Sequence, residues 1–180
     1  MRLLKENCIC LIVDVQERLV PVMYQSDNLV ATIDKLLNGL SALEVPFLLS
    51  EQYKKGLGTT IDSIELQVGN CPRAEKIAFS CCDEPRLMET IELSKKRVVL
   101  ICGIEAHVCV QQTAIDLKER GFIPVVIEDC ISSRTVENKN IAIQRIRQEG
   151  VIVTSYESLL FELCRDAGTE VFKTISKIVK

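Results

Sequence analysis

Cys8-Ile9-Cys10-Leu11-Ile12-Val13-Asp14-Val15-Gln16 is the stretch that decides the fold. Six apolar residues run without alternation and end on a carboxylate. That is the pattern of a parallel strand covered on both faces, with an acid delivered to its carboxyl end. Pro46 to Leu49, Val98 to Cys102 and Val125 to Ile127 share the pattern, Val151 to Thr154 gives a fifth run and Glu75 to Phe79 a weaker sixth. Between them, Leu29, Ile33, Leu36, Leu37 and Leu40, then Val110, Thr113, Ala114 and Leu117, recur at helical spacing. Strand and helix alternate throughout, which predicts an α/β fold: a doubly wound, mostly parallel six-stranded sheet with helices on both faces. Such sheets hold their sites beyond the carboxyl ends of the strands, where Asp14 falls.

A chain of 180 residues suits one domain over 1–180, and 47% hydrophobic with 26% charged residues is a globular balance. The segment from Glu51 to Pro72 lacks clear periodicity and contains Gly56, Gly58 and Gly69, so it reads as a functional loop. A net charge of −3, with 22 Lys and Arg scattered among 25 Asp and Glu, leaves no basic stripe and argues against nucleic acid as a partner. The opening residues lack the apolar core of a signal peptide and no run suits a membrane span, so a cytoplasmic location without membrane contact is expected. Nine cysteines are an odd number, mostly inside apolar runs; they read as reduced thiols rather than a disulfide framework. With one histidine, His107, and no Cys-x-x-Cys, no zinc set can be assembled, and no metal or cofactor is expected.

Three residues carry possible chemistry. Asp14 is either an acid or base at the strand end or a carboxylate that caps a helix or bonds backbone amides. Cys109 follows the strand Val98 to Cys102 and the turn from Gly103 to His107, and opens the helix carrying Val110 to Lys118. A helix N-terminus lowers a thiol's pKa and favours a nucleophilic thiolate; the alternative is one more small buried apolar residue. Lys76 alone reads as solvated surface and matters only as a cation beside a thiol and a carboxylate.

Leu11-Ile12-Val13-Asp14-Val15-Gln16, Glu75-Lys76-Ile77-Ala78-Phe79-Ser80 and Cys102-Gly103-Ile104-Glu105-Ala106-His107-Val108-Cys109-Val110 together resemble, in order and spacing, the three catalytic segments of isochorismatase-like cysteine hydrolases. The loop Ser50-Glu51-Gln52-Tyr53-Lys54-Lys55-Gly56-Leu57-Gly58 is similar to that of the isochorismatase domain-containing subgroup, departing at Ser50 and Lys54, changes expected to alter it little. Asp129 and Ile131-Ser132-Ser133-Arg134 also fit.

The resemblance implies a three-layer sandwich and a triad in which the Cys109 thiolate attacks a carbonyl, Asp14 accepts and returns the proton, and Lys76 holds both charged. It also implies a non-proline cis peptide at Ile104-Glu105, with the amides of Glu105 and Cys109 forming an oxyanion hole. Gly103 is read as a tight turn, and His107 as a pocket-wall or capping residue without chemistry. Metal-dependent nicotinamidases carry histidines between the first two segments, where this chain has none. Isochorismatases that cleave a vinyl ether do so without a cysteine nucleophile, so Cys109 points to a small amide or carbamoyl substrate. Gln16, Gln52, Tyr53 and Phe79 are candidate pocket walls, with loop packing as the other reading of each. Relatives are commonly oligomeric, so a homo-oligomer is expected. A non-catalytic binding protein and a thiol-redox protein are the competing classes.

Overall fold

The computed structural model describes residues 1–180. Six strands, β1 (Cys8–Val13), β2 (Phe47–Gln52), β3 (Arg73–Lys76), β4 (Val98–Ile104), β5 (Ile123–Ser132) and β6 (Ile152–Thr154), form one sheet in the order β3-β2-β1-β4-β5-β6. Every pairing is parallel. The order reverses between β1 and β4, so the chain leaves the sheet there in opposite directions and opens a crevice at the strands' carboxyl ends.

The helices are α1 (Ser26–Ala42), α2 (Lys54–Leu57), α3 (Asp62–Val68), α4 (Pro85–Leu93), α5 (Gln111–Glu119), α6 (Val136–Gln148), α7 (Tyr156–Cys164) and α8 (Glu170–Val179). Alternate residues of β1 point to opposite faces, so both must be apolar. Cys8, Cys10 and Ile12 pack in one core with the inward sides of α1, α7 and α8; Ile9, Leu11 and Val13 pack in the other with α4, α5 and α6. The residues of α1 singled out by spacing, Leu29, Ile33, Leu36, Leu37 and Leu40, are all buried. All nine cysteines are unpaired, and most are buried as small apolar side chains.

Four expectations need correction. The sixth strand starts earlier and stops at Lys76, because the neighbouring strand's ladder ends at the pair Gln52 and Lys76. Ile77 and Phe79 beyond it are 70% and 54% exposed. Gly103 is not in a turn: it lies inside β4 with φ +117°, directly against Val13 of β1. A Cβ there would come within 2.0 Å of the Val13 carbonyl oxygen, so only glycine lets the two strands approach. The segment after β2 is not irregular throughout, since α2 and α3 occupy it and Ile64 and Val68 are buried. Finally, β2 runs past its apolar part to include Ser50 and Glu51, buried because their side chains are hydrogen-bonded.

Candidate active site

Asp14 leaves β1 in a left-handed conformation, φ 52°, which Asp tolerates better than most residues. Its amide still bonds the Ser50 carbonyl of the neighbouring strand. The side chain is fully buried. Of the two readings left open for it, capping and amide bonding find no contact. Instead one carboxylate oxygen accepts from the Ser50 hydroxyl at 2.8 Å and the other from the Lys76 ammonium at 2.7 Å.

Lys76 is the last residue of β3, two strands away, and the register that pairs it with Gln52 brings its side chain under the edge of the sheet. It is not solvated surface; both members of the ion pair are fully buried. Burial is the largest influence and pulls the ammonium's pKa down, but Asp14, Cys81 and Cys109 together more than offset it and hold the group above the usual lysine value. Its other acceptors are Gln52 Oε1 at 2.6 Å and the Ala78 carbonyl at 3.4 Å.

Cys109 lies in a single π turn, Ala106–Val110, between β4 and α5, so it precedes the α-helix rather than opening it. Such turns concentrate at functional sites. Cys109 is 6% exposed. Its pKa is not lowered as the helix position predicts. Burial pushes it well up, the facing Asp14 carboxylate adds to this, and only Lys76 pulls it down. Asp14, the group that raises it, is also the base placed to take its proton.

The peptide Ile104-Glu105 is cis, as the resemblance implies. Ile104 ends β4 and is buried, while the Glu105 carboxylate pairs with Arg134 at 3.0 Å. The Glu105 carbonyl collects the amides of Val108 and Val110. His107 bonds the Ser133 hydroxyl at 2.9 Å through Nδ1 and has no hydrogen bond to the Asp14–Lys76 pair.

The four candidate wall residues divide. Gln16 is fully buried and clasps the next strand instead of lining a pocket: its amide nitrogen donates to the Gln52 and Gly58 carbonyls, and its oxygen accepts from the Gln52 amide at 2.7 Å. Gln52 turns its side chain to Lys76. Tyr53 is 48% exposed with its ring over Gly56, and Phe79 is exposed beyond β3. The largest cavities, one of 510 Å³ along Met23 to Asn28 and one of 400 Å³ between Leu4 and Val171, touch none of Asp14, Lys76 or Cys109.

Two contributors are invisible in the sequence. Ser50 reads there as a neutral departure in the loop, yet its hydroxyl is what orients Asp14. Cys81 donates to Ser50 at 3.5 Å, and its own amide bonds Thr113, one turn after Cys109. No residue spacing signals either contact, because each joins separate elements. Lys54, the other departure, forms a 2.9 Å ion pair with Glu51, which also holds Thr60 and so fixes the loop.

The all-parallel sheet with helices on both faces defines a three-layer α/β sandwich, with an acid, a lysine and a thiol at its switch point. The model of the isochorismatase domain matches residues 8–158, and the chain belongs to that family, which supports a hydrolytic function. It is 37% identical to isochorismatase domain-containing protein 2A of Mus musculus, over 99% of this chain and 85% of that one. It is 35% identical to the secreted isochorismatase effector Isc1 of Phytophthora sojae, over 99% of this chain and 87% of that one. The solved structure of MAR1 ribonuclease from Caenorhabditis elegans superposes with a TM-score of 0.93 at 32% identity, covering 99% of this chain and 92% of that one.

Proposed function

We propose that the protein is a cysteine hydrolase that cleaves a small amide or carbamoyl C–N bond through a thioester on Cys109. The observation that carries this is the Asp14 carboxylate, pinned on both oxygens by Ser50 and Lys76 and facing a thiol whose pKa burial raises. As Cys109 Sγ attacks the substrate carbonyl, its proton passes to Asp14, so that thiolate and carboxylate are never adjacent charges. The amides of Glu105 and Cys109, at the cis peptide and at the nucleophile itself, stabilise the oxyanion. Asp14 then gives the proton to the leaving nitrogen. Water, deprotonated by Asp14, hydrolyses the thioester and the proton returns to Cys109. Lys76 stays protonated throughout and offsets the negative charge that builds around it. Tyr53, next to Gln52, and Phe79, three residues past Lys76, are both exposed, and in this reading they serve as the site's apolar walls.

The test is ammonia or amine release from a panel of small primary amides and carbamoyl compounds, with the wild type and Cys109→Ala. Turnover lost in the variant, with a thioester adduct on Cys109 seen by mass after rapid quench, supports the reading; turnover that survives in Cys109→Ala removes it. The name of the C. elegans relative makes RNA the second candidate substrate. A net charge of −3 weighs against it. RNA cleavage abolished by Cys109→Ala, without amide turnover, would replace the amide reading. A cytoplasmic, homo-oligomeric, membrane-free protein of one domain remains part of this proposal, set against the secreted Phytophthora relative. Fractionation and sedimentation of the native protein test it.

A further inference from the structure

The geometry points to Gln52 as a positioning residue for Lys76, an inference that rests on the hydrolase reading above. Lys76 has three N–H bonds, and three acceptors face them: Asp14, Gln52 and the Ala78 carbonyl. No donor is left for a substrate, so Lys76 acts on the site by charge alone. Gln52 decides where that charge lies. Its Oε1 meets the ammonium at 2.6 Å, while its Nε2 donates to the Ile77 carbonyl at 2.7 Å. A reversed amide would place NH₂ against the ammonium and oxygen against a carbonyl, so the orientation is fixed. Its backbone is held on both sides by Gln16, which is itself fully buried and tied to the Gly58 carbonyl. A rigid scaffold thus presents one neutral acceptor to a buried cation.

Gln52 completes the ammonium's shell without cancelling its charge, and the whole positive charge is left to act on Asp14 and Cys109. A carboxylate at this position would neutralise the cation and leave the Cys109 thiol harder to ionise.

The readout is the rate of Cys109 alkylation by iodoacetamide as a function of pH, by peptide mapping, relative to partly exposed Cys71 in the same molecule. Gln52→Glu is expected to slow Cys109 about tenfold near neutral pH, as a thiol pKa higher by about one would do. The slowing should fade as the introduced carboxyl is protonated in acid, a pH dependence that loosened packing would not produce. Should Gln52→Glu fail to fold, Gln52→Met carries the test: with one N–H left without an acceptor the ammonium is less well held, and Cys109 slows by about threefold. A folded variant with unchanged Cys109 rates, or a slowing that is the same at every pH in Gln52→Glu, overturns the inference. Asp14→Asn and Lys76→Met serve as references. If both leave the Cys109 rate unmoved, the hydrolase reading fails; if they move it and Gln52→Glu does not, only the role of Gln52 fails.

Discussion

The two charged partners of Cys109 act on it in opposite senses, and each can be removed separately. Asp14 raises the thiol's pKa and Lys76 lowers it. Asp14→Asn is therefore expected to speed simple alkylation of Cys109 by about tenfold, as a thiol pKa lower by about one would do, while abolishing turnover, since the base is gone. Lys76→Met should slow alkylation and turnover together. Rates of iodoacetamide labelling beside single-turnover assays check both, and slower labelling in Asp14→Asn would contradict the electrostatics. Ser50→Ala leaves both charges in place but frees one oxygen of Asp14. Labelling should stay close to wild type while turnover falls by about tenfold, as expected for a lost orienting hydrogen bond.

At the scale of elements, the site depends on β1 and β4 lying close enough for their carboxyl ends to share one crevice. Gly103 sets that distance, because a Cβ would meet the oxygen, nitrogen and carbon of Val13, all backbone atoms that cannot step aside. Gly103→Ala is expected to cost about 3 kcal/mol or more, from the positive φ and the forced separation of the strands. Gly69 also has a positive φ, 53°, but nothing within 4 Å of an added Cβ, so Gly69→Ala should cost only about 1 kcal/mol. Urea unfolding of the two variants separates conformational strain from close approach; equal losses would show that the strand contact at Gly103 is compliant.

Across the whole molecule, buried thiols make stability depend on alkaline pH. Burial pushes Cys81 up to about 11 and Cys8 and Cys82 up to about 12, from 9.0 in the unfolded chain. Each holds its proton more tightly when folded, so its contribution is whole below pH 9 and is lost as pH rises from there towards 11 to 12. Each of these thiols should cost about 1 kcal/mol by about pH 10, and Lys76, raised in the same sense, joins only above its own unfolded value of 10.5. Urea midpoints should be flat from neutral pH to about 9 and then fall; a flat profile to pH 10 would mean that the thiols are not shielded as the fold implies.

The alternation of apolar runs with helical spacing was sufficient for the parallel sheet, since a strand buried on both faces has no polar position to spare and a helix against it needs only one stripe. Asp14 at the end of β1 was legible for the same reason, as the first polar residue after a continuous apolar run. The environment of Lys76 and Cys109 was not. In sequence Lys76 is an ordinary charged residue, and only the register of β3 on β2 buries it against Asp14. Local position alone predicts a lowered pKa for Cys109; desolvation and a carboxylate brought 95 residues along the chain raise it instead. Local pattern fixes which segments become strands and helices because those choices depend on neighbouring residues. The charge state of the site depends on groups from β1, β2, β3 and the turn after β4 meeting in one dry crevice, and only the folded sheet brings them together.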